Sequence, residues 1–330
     1  MKRFVMTTVV LLLMLLAGTT QGRAADHVRL TINDGLADMT LKAKMENAVS
    51  ELLTELNYAA EQNRKPRLNG LAMTEQAKSD VMRLWDNVHL YCFEPEVVQK
   101  CLTTMHGYQV RGLPVVMIPV GEDESKQEYQ EVVVSFSKKG EMESFFLTIA
   151  MHLYQEVMKN SGTEIGDIRR RMQILDYVEH FRTSYNQKDL GFLRQVFSDD
   201  ALIITGRVIK TQKSEVFPSG NKIIYKEYNK SNYLSHLSQV FRNNRYIKVN
   251  FDGISIVHHP TKANVYGVTL HQSWNSGRYH DEGYVFMIWD FNDEQAPKIH
   301  VRTWQPDYLD EAKGQRLPED EIFTLGDFIY

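Results

Sequence analysis

The sequence predicts an α+β fold in two modules, and three observations carry that expectation. Apolar residues recur at intervals of three and four in several windows, the mark of helices that bury one face. Other windows alternate apolar and polar residues between glycine- or proline-containing turns, the mark of strands. A small, polar break at Asn160-Ser161-Gly162-Thr163 separates one run of helices and strands from the next. The chain divides into a leader (1–24), an N-terminal α+β module (25–160), a second domain (161–310) and a C-terminal tail (311–330).

Residues 37–62 read as a helix, with Leu41, Met45, Val49, Leu52, Leu53 and Leu56 on one face. Thr74 caps a second helix that runs to Trp85. Strands are expected at Val88–Phe93 and at Tyr108–Pro119, the latter broken near Gly112-Leu113-Pro114. Tyr129–Ser137 and Glu141–Ile149 form a hairpin around Lys138-Lys139-Gly140, and Met151–Lys159 is helical again. The second domain opens with a helix at Asp167–Asn186, whose buried stripe is Ile174, Leu175, Val178, Phe181 and Tyr185. A short helix (Leu190–Phe197), a strand (Ala201–Val208) and a helix (Asn232–Asn243) follow. Four strands close it, near 247–258, 263–274, 283–291 and 298–304.

The leader has a positive start at Lys2 and Arg3, an apolar run from Phe4 to Gly18, and Gly22 and Ala24 at the small positions of a cleavage site after Ala24. The apolar run is shorter than the roughly 20 residues that span a bilayer. The first cysteine is Cys92, so no residue for a lipid anchor follows the run. The expectation is a periplasmic or secreted protein. The longest later apolar stretch, Leu113–Val120, carries two prolines, so no membrane span is expected. Losing Lys2, Arg3 and Arg23 with the leader takes the net charge from −4 to −7. An acidic chain lacks the footprint of a nucleic-acid binder, and Arg169-Arg170-Arg171 reads as a solvated helix start. Cys92 and Cys101 are open to two readings, a disulfide or two packed thiols. The sequence has no GxGxxG, Walker-type, GxSxG, HExxH or CxxC motif, so no cofactor, nucleophile elbow or metal set is expected. His258 and His259 are adjacent on a strand and point apart, and His280-Asp281-Glu282 reads as a solvated turn.

The helix Tyr177–Asn186 runs into Lys188-Asp189-Leu190 and then Val196-Phe197-Ser198-Asp199-Asp200-Ala201. Near the end, Gly283 opens a strand and Val301-Arg302-Thr303-Trp304 forms the last one. On these residues the span 167–308 resembles the nuclear transport factor 2-like superfamily, in its SnoaL-like and ketosteroid-isomerase-like branch. The resemblance implies a cone, helices packed on a curved antiparallel sheet around a pocket, and a homodimer through the outer sheet face. The first module is open to being a degenerate copy of that cone or an unrelated α+β unit. Val301–Asp307, with the first module ahead of it, looks like exported Bacteroidetes-type proteins of undefined role.

The resemblance places Thr205 where ketosteroid isomerases hold their catalytic carboxylate. Threonine cannot take a carbon-bound proton at neutral pH, so no catalytic residue is assigned. Pocket-lining candidates are Thr205, Tyr266, His271, Trp274, Tyr284, Asp290, Arg302 and Trp304. Alternation groups Tyr266 with Trp274, sets His271 opposite, and puts His300, Arg302 and Trp304 together, without deciding which face is concave. With His271 and Arg302 as polar points, such a pocket suits a small amphipathic or anionic ligand, or a peptide. In the competing picture the aromatics fill the cone as core and Arg302 pairs with Asp290 or Asp200. The expected function is a non-catalytic exported binding or assembly protein. The alternatives are an isomerase, lyase or hydrolase using His271 with Arg302 as anion anchor, and a purely structural partner of another exported protein.

Overall fold

A computed structural model describes residues 26–104, 106–149, 151–159, 165–210, 221–277 and 279–329. The leader with its cleavage site and the break at Asn160–Thr163 lie outside the described residues.

The N-terminal module opens with a strand that the sequence reading missed, β1 (Arg29–Asp34). The helices α1 (Met39–Glu61) and α2 (Glu75–Trp85) follow. Asp38 caps α1 by accepting from the Thr40 and Leu41 amides, and Thr74 caps α2 by accepting from the Ala77 amide. Then come β2 (Val88–Tyr91), β3 (Glu96–Thr103), β4 (Gly107–Pro119), β5 (Glu128–Ser137) and β6 (Met142–Leu147). The sheet order is β1-β3-β4-β5-β6, with β2 also beside β4, and β1 runs parallel to β3. The break expected at Gly112-Leu113-Pro114 is a bulge in a continuous β4: the β4–β5 register shifts between Val110 and Leu113, and Gly112 takes a φ of +70°. Leu52, Leu53 and Leu56 of α1 bury fully against the sheet.

Cys92 and Cys101 are free and buried. Pairing registers explain why no bridge forms. Cys101 sits opposite Val110, whereas Tyr91, next to Cys92, sits opposite Val116 on the same edge of β4. Five or six residues of strand amount to roughly 15–20 Å, far beyond the roughly 7 Å reach of a disulfide.

The α3 helix (Met151–Lys159) packs Leu153 and Val157 into the core of a second sheet-and-helix unit. Its elements are α4 (Ile165–Asn186), α5 (Leu190–Val196), β7 (Phe197–Lys210), β8 (Asn221–Asn229) and α6 (Lys230–Asn243). The strands β9 (Lys248–His258), β10 (Val265–Asn275), β11 (His280–Asp290) and β12 (Lys298–Pro306) complete it. The sheet order is β8-β7-β12-β11-β10-β9, antiparallel except for the β12–β7 pair. Irregular registers in β9 and β12 bend it. Its concave side holds the α4 stripe of Ile174, Leu175, Val178, Phe181 and Tyr185, all buried. The N-terminal module is not a copy of this arrangement, because its first strand precedes both helices and pairs in parallel with the third.

The α4 helix also joins the two sheets. Glu179 and Arg111 of β4 form an ion pair, with both side chains at most 3% exposed. Glu179 also accepts from the Ile149 amide at 3.0 Å, and the Arg111 guanidinium stacks 4.3 Å above the Tyr154 ring. Arg182 donates from Nε to the Val249 carbonyl at 3.0 Å, and its two terminal nitrogens reach the Thr148 carbonyl and Gln130.

The tail folds back onto the outer face of the cone sheet. A two-stranded β13 (Tyr308–Asp310) and β14 (Gln315–Arg316) begins it. Phe323, Leu325 and Phe328 then pack on Val265, Phe286, Ile288 and Val301. The Phe328 ring stacks on Phe286 at 5.6 Å. A Cβ on Gly267 would approach Leu325 Cγ to 2.6 Å, so the close approach needs glycine there. The face that the resemblance marks for homodimer pairing is thus occupied, over these residues, by the chain itself.

Asp80 of α2 is 1% exposed. Its Oδ1 accepts from Gln76 Nε2 at 2.8 Å and its Oδ2 has no partner among the described residues. Burial pushes its carboxyl up to about 7, against the pull of Gln76 and Arg83. A carboxyl whose folded pKa is raised favours the folded state below its unfolded pKa, and that contribution is lost as pH rises through the folded value. Stability is therefore expected to fall by a few kcal/mol relative to Asp80→Asn between about pH 4 and pH 7. Urea unfolding of both proteins across that range checks it, and parallel pH profiles would refute it.

Candidate functional site

The cone is filled at its narrow end and hollow at its mouth. Phe181, Tyr185, Phe197, Trp289 and Phe291 are fully buried and meet edge-to-face or stacked. Tyr266 belongs with them, its ring 6.2 Å from Phe291. Above this plug a cavity of about 730 Å³ opens between α6 and the strands β7, β10, β11 and β12.

Four sequence candidates line the cavity: Thr205, Trp274, Arg302 and Trp304. Four others do not. Tyr266 faces inward but lies in the plug. His271 and Tyr284 are opposite each other on the β10–β11 ladder and point to the outer face, because Gln272 and Trp274 point inward. There His271 Nδ1 meets Asp252 at 2.5 Å, and Nε2 lies 3.7 Å from Asp307, which also holds Arg316. His271 is therefore part of the strap that ties the tail to the sheet, which corrects its place as the polar point of the pocket. Asp290 lies 3.9 Å from His300, away from the cavity.

Arg302 dominates the mouth. It is 5% exposed, yet no carboxylate among the described residues comes within ion-pair distance of it. Its guanidinium sits 5.6 Å over the Tyr233 ring, and Nε is buried without a hydrogen-bond partner. Asp290 and Asp200, the partners offered by the sequence, contact His300 instead. A bulge explains this. Trp289 pairs with Ile299 and Ile288 with Val301, so His300 is the extra residue and leaves the face of Arg302 and Trp304.

Sequence reasoning missed the second charged group. Asp281 sits directly across β10–β11 from Trp274 and so shares its inward face. Tyr279 donates its hydroxyl to Asp281 Oδ2 at 2.6 Å, while Oδ1 is buried and unpartnered among the described residues. Burial pushes the Asp281 carboxyl up, with the Tyr279 hydroxyl and the Arg302 charge pulling the other way. Tyr233 and His236 of α6 complete the wall, and the Tyr233 hydroxyl lies 2.8 Å from that of Tyr185. Read linearly, His280-Asp281-Glu282 is a polar turn; only the strand register gives Asp281 a role.

Among the described residues no group of three His, Cys, Asp or Glu side chains is placed to hold a metal ion, and no helix is long and apolar enough to cross a membrane.

No protein-family model and no curated sequence matches this chain. Solved structures similar to it include Bd1075 of Bdellovibrio bacteriovorus, at 12% identity and a TM-score of 0.34 over 62% of this chain and 78% of that one. A nuclear transport factor 2-like superfamily protein of Salmonella enterica is 12% identical, with a TM-score of 0.31 over 42% of this chain and 90% of that one. Naphthalene 1,2-dioxygenase with indole bound is 7% identical, with a TM-score of 0.34 over 48% of this chain and 88% of that one. These are likenesses of fold alone. The α+β class rests on the strand order, the single parallel pair in the cone sheet and the helices on its concave side.

Proposed function

We propose that the cone mouth binds a small amphipathic carboxylic acid, with Arg302 holding the carboxylate and Trp274, Trp304 and Tyr233 packing the apolar body. The observation that carries this is a buried guanidinium facing a cavity with no carboxylate in ion-pair reach among the described residues. An arginine stays charged, and a buried charge is costly until an anion pairs with it. Its planar fork accepts a carboxylate through two parallel hydrogen bonds. The leader residues support placing this binding outside the cytoplasm, and the protein acts there as a carrier or sensor rather than as a catalyst.

Protonated Asp281 is compatible with an anionic ligand and can donate to it; ionised Asp281 repels it. Because burial raises this carboxyl, affinity is expected to fall as pH rises through its raised pKa. The test is calorimetry with medium-chain fatty acids and phenylalkanoic acids, each beside its neutral amide. Arg302→Met is expected to weaken acid binding about 10- to 100-fold, the worth of a charged hydrogen-bonded pair. Asp281→Asn is expected to flatten the pH profile. Equal affinities of acids and amides would refute the reading.

A second reading, proton transfer to or from a bound substrate, is favoured by one feature, the buried, unpartnered Oδ1 of Asp281 in the cavity wall. Turnover lost in Asp281→Asn with binding retained would decide for it.

A further inference from the structure

A second cavity, of about 600 Å³, opens where the N-terminal sheet meets α4, and it shares no lining residue with the cone mouth. One wall is a single face of α4 carrying Gln173, Asp176, Tyr177 and His180, spaced three and four apart. The His180 ring is clamped between Phe146, at 4.3 Å, and Phe192, at 3.7 Å, both stacked on it. Phenyl rings cover both faces of the imidazole, so only its edge is left for polar contact. Neither ring nitrogen has a hydrogen-bond partner among the described residues. Burial pushes its pKa down to about 4, so the ring is neutral near pH 7 and presents one N–H donor and one lone-pair acceptor.

One turn earlier, the Asp176 carboxylate is 44% exposed, with Arg111 at 4.0 Å on its inner side. Its Oδ1 accepts from Gln109 Nε2 at 2.8 Å, and its other oxygen remains an acceptor. Both acids at the site already face a cation of the protein: Asp176 faces Arg111, and Glu294 pairs with Arg170 at 2.6 Å. Lys298 lines this cavity, and Arg169 lines an adjoining one of about 300 Å³ that shares His106, Gln109, Gln173 and Asp176. An anion would meet Asp176, and a cation would meet Lys298. A hydroxyl group, at once donor and acceptor, matches a neutral imidazole edge beside a carboxylate. The volume lies within the roughly 300–1,000 Å³ of small-molecule sites.

We propose that this inter-module cavity is a second binding site, for a neutral sugar or comparable polyol, held at its hydroxyls by the His180 edge and the Asp176 carboxylate beside the Tyr177 ring. The proposal is independent of the cone reading.

Glucose, galactose and cellobiose are titrated into the full chain with isotope-labelled histidine, and the His180 ring signals are followed by NMR. A saturable shift with at least one sugar is expected, with a Kd of about 1 mM or tighter. His180→Phe keeps the three-ring stack and removes both nitrogens; it is expected to weaken that sugar at least about tenfold. Asp176→Asn, which keeps an acceptor for Gln109, is expected to cost a similar factor and serves if the first variant does not fold. Binding of the cone acids is expected to be unchanged in both. The proposal is overturned if no sugar gives a saturable shift at about 10 mM, or if a sugar binds with the same affinity in the folded variants.

Discussion

Glu179→Ala is expected to destabilise the protein by about 3–5 kcal/mol, because it strands Arg111 as an unpaired charge in the interior. The pair is buried on both sides, with side-chain exposures of 3% and 1%. It lies where β4 meets α4, so the loss falls on the contact between the modules. The variant also removes the acceptor of the Ile149 amide. Asp176 stands 4.0 Å from Arg111 but is half in solvent and cannot replace Glu179. Replacing both partners, Arg111→Met with Glu179→Met, is expected to be more stable than Glu179→Ala, since an apolar pair of similar volume leaves no buried charge. Denaturant unfolding of the three proteins measures this. A single variant within about 1 kcal/mol of the parent would show that the pair is solvated rather than sealed.

Deleting residues 318–330 is expected to cost about 3 kcal/mol and to make the protein self-associate. Phe323, Leu325 and Phe328 are partly buried, and three such side chains contribute about that much. Their removal also takes two of the partners of the Gln305 side chain, which donates to the Glu321 carbonyl at 2.9 Å and accepts from the Phe323 amide at 2.8 Å, and leaves it the Tyr225 hydroxyl. It uncovers Val265, Phe286, Ile288 and Val301, an apolar patch on a sheet face. Light scattering is expected to show no pairing through this face in the full chain and dimers or larger species in the shortened one. A shortened chain that stays monomeric and keeps its stability would mean that the tail is only laid on the sheet.

Legibility in the sequence followed the number of surfaces an element faces. The α4 stripe was plain because Ile174, Leu175, Val178, Phe181 and Tyr185 all enter one core. Thr74 was plain because capping is local. The β8 strand was not, since on a sheet edge only its first residue is buried and no alternation appears. The β1 and β3 strands were missed although each alternates over part of its length; β1 sits just after the leader, and β3 buries only Val97 and Cys101 among polar residues such as Glu96, Gln99 and Lys100.

In the cone, parity correctly grouped Tyr266 with Trp274 and set His271 against them, but it carries no depth. Tyr266 is in the plug and Trp274 at the mouth. Parity also failed at the β12 bulge, where His300 leaves the face of Arg302. Asp281 needed the β10–β11 register, which no local pattern contains.

The most direct test of the central claim uses Trp274 and Trp304, which line the cavity beside Arg302. Their fluorescence is followed while decanoate, and separately decanamide, is titrated into the parent and into Arg302→Met. The expected result is a saturable change with decanoate in the parent, weakened about 10- to 100-fold in the variant, and a much weaker response to decanamide in both. Equal responses to acid and amide, or a decanoate affinity untouched by Arg302→Met, would contradict it.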